Sequence, residues 1–412
     1  LAVFNRRIIV TLFLGFSSGL PLLATGGTLQ AWMKDEQVDL TVIGIFALVG
    51  LPYTVKFLWA PFLDRFIPPF LGRRRGWMLI SQLSLMLSLF GLGLCHPRHS
   101  PLSVALMALL VSFCSASQDI VLDAHRRDTL KDEELGLGSA LFINGYRLGM
   151  LVSGACALWL ADHIPWRQVY TVLALAMLIG VLTTFLAEEP SGCGTPPRTL
   201  REAVLEPFKD FFHHSGAVLI LAFILLYKIG DAMAGSMTTP FVLEMGYTKS
   251  EMAAVVKTFG LAALLGGSLL GGALMLRLGI NRALWLFGLL QSLSILGFAW
   301  LAQAGRTLPG LASVVAFENL SFGMGTSAYV AFMARLCNRR FSATQYALFT
   351  SLMGVPRVLA STPTGYLAKC TGWPGFFIFC AAAALPGMLL LLKVAPWKSP
   401  EEGAVSQQPL PA

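Results

Sequence analysis

Polar residues are widely spaced along this chain, and between them lie apolar runs of roughly 20 residues, the length at which a helix crosses the hydrocarbon core of a bilayer. The runs fall near 8–31, 41–63, 77–95, 102–123, 138–160 and 167–187, and again near 217–240, 251–276, 283–303, 309–334, 344–368 and 373–394. The pattern predicts an all-α membrane protein with twelve transmembrane helices in two groups of six. Between the groups, 188–215 is Pro- and Gly-rich and then amphipathic, which reads as a cytoplasmic linker with a short surface helix. The expected organisation is a six-helix bundle over 1–187, the linker, a second six-helix bundle over 216–395, and a polar cytoplasmic tail over 396–412.

Composition strengthens this picture. Only 13% of the 412 residues are charged and 55% are hydrophobic, against roughly 25% charged in a soluble domain. The net charge of +8 is a topological signal and calls for no nucleic-acid partner. Placing the amino terminus, the loops after even-numbered spans and the tail on one side collects 19 of the 30 Lys and Arg residues there. Six fall on the other side: Lys34, Arg98, Arg167, Lys249, Arg306 and Lys369. By the positive-inside rule both termini are then cytoplasmic. Arg6 and Arg7 precede an apolar run too long for a cleaved signal, so 8–31 reads as a retained first span. The seven cysteines form no C-x-x-C pair and no His cluster accompanies them, so neither a metal site nor a disulfide framework is expected. H-E-x-x-H, G-x-S-x-G and Walker A motifs do not occur, which argues against an enzyme, a cofactor or an ATP-driven pump. A secondary carrier, expected to be a monomer, is what remains.

An internal repeat supports the division into halves. At an offset of 210, Ser117 falls on Ser327, Ala124 on Ala334 and Arg147 on Arg357, so spans ten and eleven echo spans four and five. Two parallel six-helix halves resemble the architecture of major facilitator transporters. Asp64, Arg65, Arg73, Arg74 and Arg75 resemble that superfamily's cytoplasmic gating loop, although Pro68 and Pro69 lengthen the usual spacing. A plain positive-inside anchor is the other reading of these charges.

Apart from Arg167, Glu251 and Lys393 at span ends, nine charges lie within predicted spans: Lys56, Arg147, Lys228, Lys257 and Arg357, with Asp119, Asp123, Asp231 and Glu318. Each would cost about 2.5–3.5 kcal/mol or more at a lipid-facing helix centre, so they are expected to face a water-filled cavity or one another. Lys228 and Asp231 share a helix face, as a fixed neutralising pair or as a pair that opens when substrate or a proton competes. Glu318 lies near mid-membrane, as a site of reversible protonation or as the partner of Lys257 or Arg357. Asp123 adjoins the basic AHRR stretch and is expected to brace a cytoplasmic gate against Arg126, Arg127 or the Arg73–Arg75 loop. Asp119, about one turn deeper, points to the cavity and is paired here with Arg147. Asp119, Asp123, Asp231 and Glu318 are the proton-coupling candidates. Gln30, Trp32, Gln118, Asp119, Tyr146, Arg147, Tyr227, Lys228, Lys257, Asn319, Gln345 and Arg357 are the substrate-binding candidates. Amides and aromatic rings together suit a sugar, and guanidinium forks suit carboxylates.

The strings SGLPLLATGGTLQAWM, FLWAPFLDRF, PPFLGRRRGW, FCSASQDIVLDA, GYRLGMLVSG, LYKIGDA, FENLSFGMGTSA and FSATQYAL resemble the AmpG muropeptide permease family from about residue 8 to 394. The resemblance implies a proton-coupled importer of the Gram-negative inner membrane. Its substrates would be anhydro-muropeptides, carried from periplasm to cytoplasm for cell-wall recycling and linked to β-lactamase induction. Some family members carry extra carboxy-terminal spans that this chain does not show. A same-fold carrier of another anionic conjugate, such as acetyl-coenzyme A, and a non-transporting membrane receptor are the alternatives.

Overall fold

The computed structural model describes residues 5–190, 197, 199–213, 216–360 and 362–397. Over these the chain is helical, and the helices follow the predicted apolar runs. The first span, Arg6–Asp35, starts at Asn5, whose side-chain oxygen accepts the Ile8 N–H at 3.1 Å. The second, over 40–65, is broken into short pieces such as Leu51–Val55 and Ala60–Arg65. Pro52 and Pro61 within it remove donors from the backbone ladder. Spans three to six are Arg73–Gly93, Pro101–Thr129, Leu135–Ala161 and Trp166–Leu186.

The linker helix is Leu200–His213 and the seventh span is Ala217–Glu244. A single helical stretch of 55 residues follows, Ser250–Ala304. At 1.5 Å per residue it is ~80 Å long, too much for one crossing. Gly279 divides it with φ 75° and ψ 163°, a conformation open to glycine alone, giving spans eight and nine. Span ten is Leu308–Leu336. The eleventh comprises Ser342–Leu359 and the turns from Thr364, and Gly372 (φ 67°) turns the chain into the twelfth.

The fourth span differs most from its apolar run, extending six residues beyond 123 to Thr129. Charge ended the hydrophobic pattern there, but each acid and base in that extension has a partner, so the helix continues. Of the expected tail, 398–412 lies outside the described residues, as do 191–196, 198, 214 and 215 of the linker.

The chain forms two compact units: Leu1–Lys209 with Ala334–Ser351, and Asp210–Met333 with Leu352–Ala412. The start of the helix at Ser342 thus belongs to the first unit. Within that unit spans one and five touch backbone to backbone. A Cβ on Gly15 or Gly19 would strike the main chain of Phe142 or Tyr146, and one on Gly145 or Gly149 would strike that of Leu12 or Phe16. In the second unit Gly267 and Gly271 bring span eight against the backbone of Leu320 and Met324 in span ten. The GLAALLGGSLLGG run is therefore a packing surface of small residues.

Candidate functional site: buried charge within each unit

Span four carries a polar stripe. Ser112, Ser115, Asp119, Asp123 and Arg126 recur at three- or four-residue intervals and so share one helix face, and all are buried. Asp119 accepts a hydrogen bond from Ser18 Oγ of span one at 2.5 Å. Asp123 accepts from Arg126 Nη2 at 3.0 Å. Lys56 of span two, 6% exposed, places its Nζ 4.0 Å from the other oxygen of Asp123 and also lies in the field of Asp119. Arg126 Nη2 donates as well to the Tyr346 hydroxyl at 2.7 Å, and the guanidinium lies over the Phe142 ring at 4.4 Å. Asp119 thus meets Ser18 and Lys56, where the sequence had suggested Arg147.

Toward the Thr129 end of span four a second network is more tightly tied. Asp64, wholly buried, accepts from Arg74 Nη2 at 3.0 Å and from the Thr344 N–H and hydroxyl at 2.8 and 2.7 Å. It therefore serves the amino end of the helix at Ser342 as a cap from a distant segment. Arg74 also donates from Nε to Asp128 at 2.8 Å and from Nη2 to Ser342 Oγ at 2.8 Å. Two carboxylates around one planar, permanently charged fork make a burial of this kind sustainable. Arg73 Nη1 reaches the Asp64 carbonyl at 3.4 Å. Arg75 donates to the Thr184 and Phe185 carbonyls, closing the end of span six. Both oxygens of Glu189 accept the backbone N–H groups of Arg74 and Arg75 at 2.9 Å, capping span three. Arg127 pairs with Asp132 at 2.7 Å and donates to the carbonyls of Cys337 and Arg335. Arg65 lies over the Phe66 ring at 4.9 Å.

In the second unit, Lys228 and Asp231 form an ion pair at 3.2 Å. Gln291 of span nine donates to the same Asp231 oxygen at 3.1 Å, and Lys228 Nζ lies 4.2 Å from the centroid of Phe322 in span ten. Glu318 accepts from Asn319 Nδ2 at 2.7 Å and acts electrostatically on Lys228. Two carboxylates and one ammonium thus gather from spans seven and ten.

The remaining sequence candidates are scattered. Trp32 is 3% exposed in an apolar core, stacked on Trp166 and tilted against Tyr170; its ring is occupied by packing. Tyr227 is buried, donates to the Leu284 carbonyl at 2.9 Å and stacks on Tyr329. Gln345 bridges the linker helix and the turn at Asn338, donating to the Pro207 carbonyl and accepting the Asn338 N–H. Gln118 is fully buried and neither atom of its amide has a partner among the described residues. Gln30 and Lys257 are exposed, and Tyr146 and Arg147 half-buried. The side chain of Arg357 lies outside the described residues.

Sequence reasoning passed over Ser18, Asp128, Glu189, Ser342 and Thr344 and left Lys56 without a role. Asp128 follows His125, Arg126 and Arg127, past the end of the predicted apolar run. Ser342 and Thr344 carried a weak signal, since such residues favour helix starts.

Among the described residues no group of three His, Cys, Asp or Glu side chains could hold a metal ion. Twelve apolar crossings that bury paired charges define an integral membrane carrier. The model of the Major Facilitator Superfamily matches residues 8–361. The fold is shared with the proton:xylose symporter XylE, solved with 6-bromo-6-deoxy-D-glucose, at a TM-score of 0.70 and 11% identity, covering 98% of this chain and 99% of that one. The anhydromuropeptide permease of Escherichia coli K12 is 47% identical over 395 residues, 95% of this chain and 80% of that protein. A putative transporter AmpG 4 of Rickettsia conorii is 35% identical over 94% of this chain and 96% of its own length. The chain therefore belongs to the AmpG permease family of the major facilitator superfamily, a family of multi-pass membrane transporters and not of enzymes.

Proposed function

We propose that the protein imports anhydro-muropeptides (GlcNAc-anhydro-MurNAc peptides) from periplasm to cytoplasm in symport with protons. This would serve peptidoglycan recycling and supply the signal linked to β-lactamase induction. The observation that carries the substrate is the 47% identity, over 95% of the chain, to a permease named for it. Carboxylates of the peptide stem would meet Arg147, Arg357 or Lys257, and the sugars would meet Gln30, Gln118, Tyr146 and Asn319. Coupling is supported by four acids held away from lipid: Asp119 and Asp123 in the first unit, Asp231 and Glu318 in the second. The carrier works as a monomer in the bacterial inner membrane with both termini cytoplasmic, as the 19-to-6 distribution of basic residues supports. Alternating access of the halves 1–187 and 216–395 moves the substrate, with Asp64, Arg73, Arg74, Arg75, Arg126 and Arg127 at the cytoplasmic gate.

The test is uptake of radiolabelled anhydro-muropeptide into proteoliposomes with and without an inward acid gradient. Accumulation that requires the gradient and collapses with a proton ionophore is expected. Uptake indifferent to the gradient removes the coupling. Uptake blocked by unlabelled acetyl-coenzyme A but not by unlabelled muropeptide removes the substrate.

A further inference from the structure

Lys56 is a buried ammonium between two carboxylates that are one helical turn apart, and the proposed transport mechanism gives it nothing to do. Its surroundings form a line of alternating charge within the first unit: Asp119, Lys56, Asp123, Arg126 and then the hydroxyl of Tyr346. We propose that Lys56 is the movable counter-ion that transmits the protonation of Asp119, through Asp123 and Arg126, to Tyr346 on the helix that begins at Ser342. The proposal rests on the proton-coupled reading and assigns it a positioning residue and a route.

The geometry explains why such a line would respond. Asp119 is faced by Ser18 from span one and by Lys56 and Tyr53 from span two, with Tyr146 of span five close to Tyr53 and Asp123 on its own helix. While Asp119 is ionised, Lys56 is shared, and its Nζ stands 4.0 Å from Asp123, outside the ~2.7–3.2 Å of a hydrogen bond. Among the described residues the hydrogen bond to Asp123 then comes from Arg126, at 3.0 Å, with Lys56 as the looser partner. A proton from water opposite the cytoplasm forms an O–H bond on the Asp119 carboxylate and cancels its charge. Lys56 is left with one carboxylate and closes on Asp123, which then divides its charge between two cations.

Arg126 is poorly pinned otherwise. Its Nε and Nη1 are buried without hydrogen-bond partners among the described residues, and Nη2 alone holds both Asp123 and Tyr346. Weakening the Asp123 bond therefore frees the guanidinium and with it the hold on Tyr346, two residues beyond the Asp64–Thr344 cap. Release of the proton from Asp119 to cytoplasmic water resets the line. A lysine suits this position because its ammonium is a point charge on a flexible stem, whereas an arginine fork would stay bound to one carboxylate.

The experiment uses the full chain in proteoliposomes, comparing wild type with Lys56→Gln, Lys56→Arg and Asp119→Asn. The first readout is the ratio of muropeptide uptake with an acid gradient to uptake without one, beside substrate counterflow at equal pH. The second needs no transport: maleimide labelling of Ala343→Cys in a background without other cysteines, at about pH 8 and about pH 6, roughly a hundredfold change in proton activity. Because maleimide reacts with the thiolate, every rate is expressed relative to the same thiol in the denatured chain at that pH. In the parent this relative labelling rises on acidification by roughly tenfold, the effect of about 1.4 kcal/mol on a two-state equilibrium. Lys56→Gln loses both this rise and the gradient ratio while counterflow continues; Lys56→Arg recovers only part of either. Asp119→Asn labels at the acid rate at both pH values. A Lys56→Gln protein that keeps the gradient ratio and the pH-dependent labelling overturns the relay and leaves proton coupling standing. A wild type without any gradient response overturns the coupling itself and the relay with it. Should Lys56→Gln fail to fold, Asp119→Asn decides alone: pH-dependent labelling in that variant overturns the relay.

Discussion

Replacing Asp64 removes three interactions at once, so its energetic effect can be worked from the structure. The carboxylate is wholly buried and accepts from Arg74 Nη2, the Thr344 N–H and the Thr344 hydroxyl. Asp64→Ala leaves Arg74 with Asp128 and Ser342 only, and strands two donors at the start of the helix at Ser342. Breaking one partner out of a buried ion pair costs about 3–5 kcal/mol, and the stranded donors are part of that figure. Asp64→Asn keeps one acceptor oxygen in place and loses the charge, so about 1.5–3 kcal/mol is expected.

Ala343 reports this directly, since it is buried beside Leu63 in the same apolar cluster. In a background without other cysteines, labelling of Ala343→Cys by maleimide follows the population in which this end of the helix has come away. A change of about 3–5 kcal/mol raises that population by roughly 100- to 4,000-fold, so the Ala variant should label faster by at least ~100-fold and the Asn variant by roughly tenfold or more. Asp132→Asn is the control. Asp132 is 60% exposed in its pair with Arg127, and such pairs contribute at most about 1 kcal/mol. An Asp64→Ala protein that labels within threefold of its parent would refute the reasoning, because the network would then hold nothing that solvent does not.

Gly145→Ala and Gly149→Ala should each lower stability by about 1–3 kcal/mol, since the new methyl meets backbone. Gly266→Ala, with open space around its Cβ position, should be neutral or stabilising by up to about 1 kcal/mol; fluorescence-detected thermal stability separates the two outcomes. Lys228→Met and Asp231→Asn should each destabilise by about 3–5 kcal/mol as singles, and the double variant by less than either, in a thermal double-mutant cycle. Arg340→Ala, which parts the Glu202 and Glu206 contacts of the linker helix, should cost less than about 1 kcal/mol and vanish into the noise at high salt.

The spans were legible because a bilayer imposes a length, and twelve apolar runs of that length leave few alternatives. Boundaries were less so: charges at 123–128 ended the apolar pattern while the helix ran on to Thr129. Local pairs could be read from spacing, as with Lys228 and Asp231 three residues apart. The Asp64–Thr344 and Arg126–Tyr346 contacts join residues 280 and 220 positions apart, and no periodicity records such a meeting. Trp32 shows the reverse failure. An aromatic ring near a span end has the same appearance in sequence whether it awaits a sugar or fills a core, and here Tyr170 and Trp166 fill the space around it.

The glycine seam between spans one and five also has a genetic meaning. At Gly15, Gly19, Gly145 and Gly149 the neighbouring main chain occupies the place of a first side-chain carbon. Every missense change at these four codons adds that carbon, whatever else it adds. Inactivating alleles should therefore accumulate there under any selection against transport, with alanine and serine recovered beside the charged replacements, while the lipid-facing positions of the same helices accept exchange among apolar residues freely.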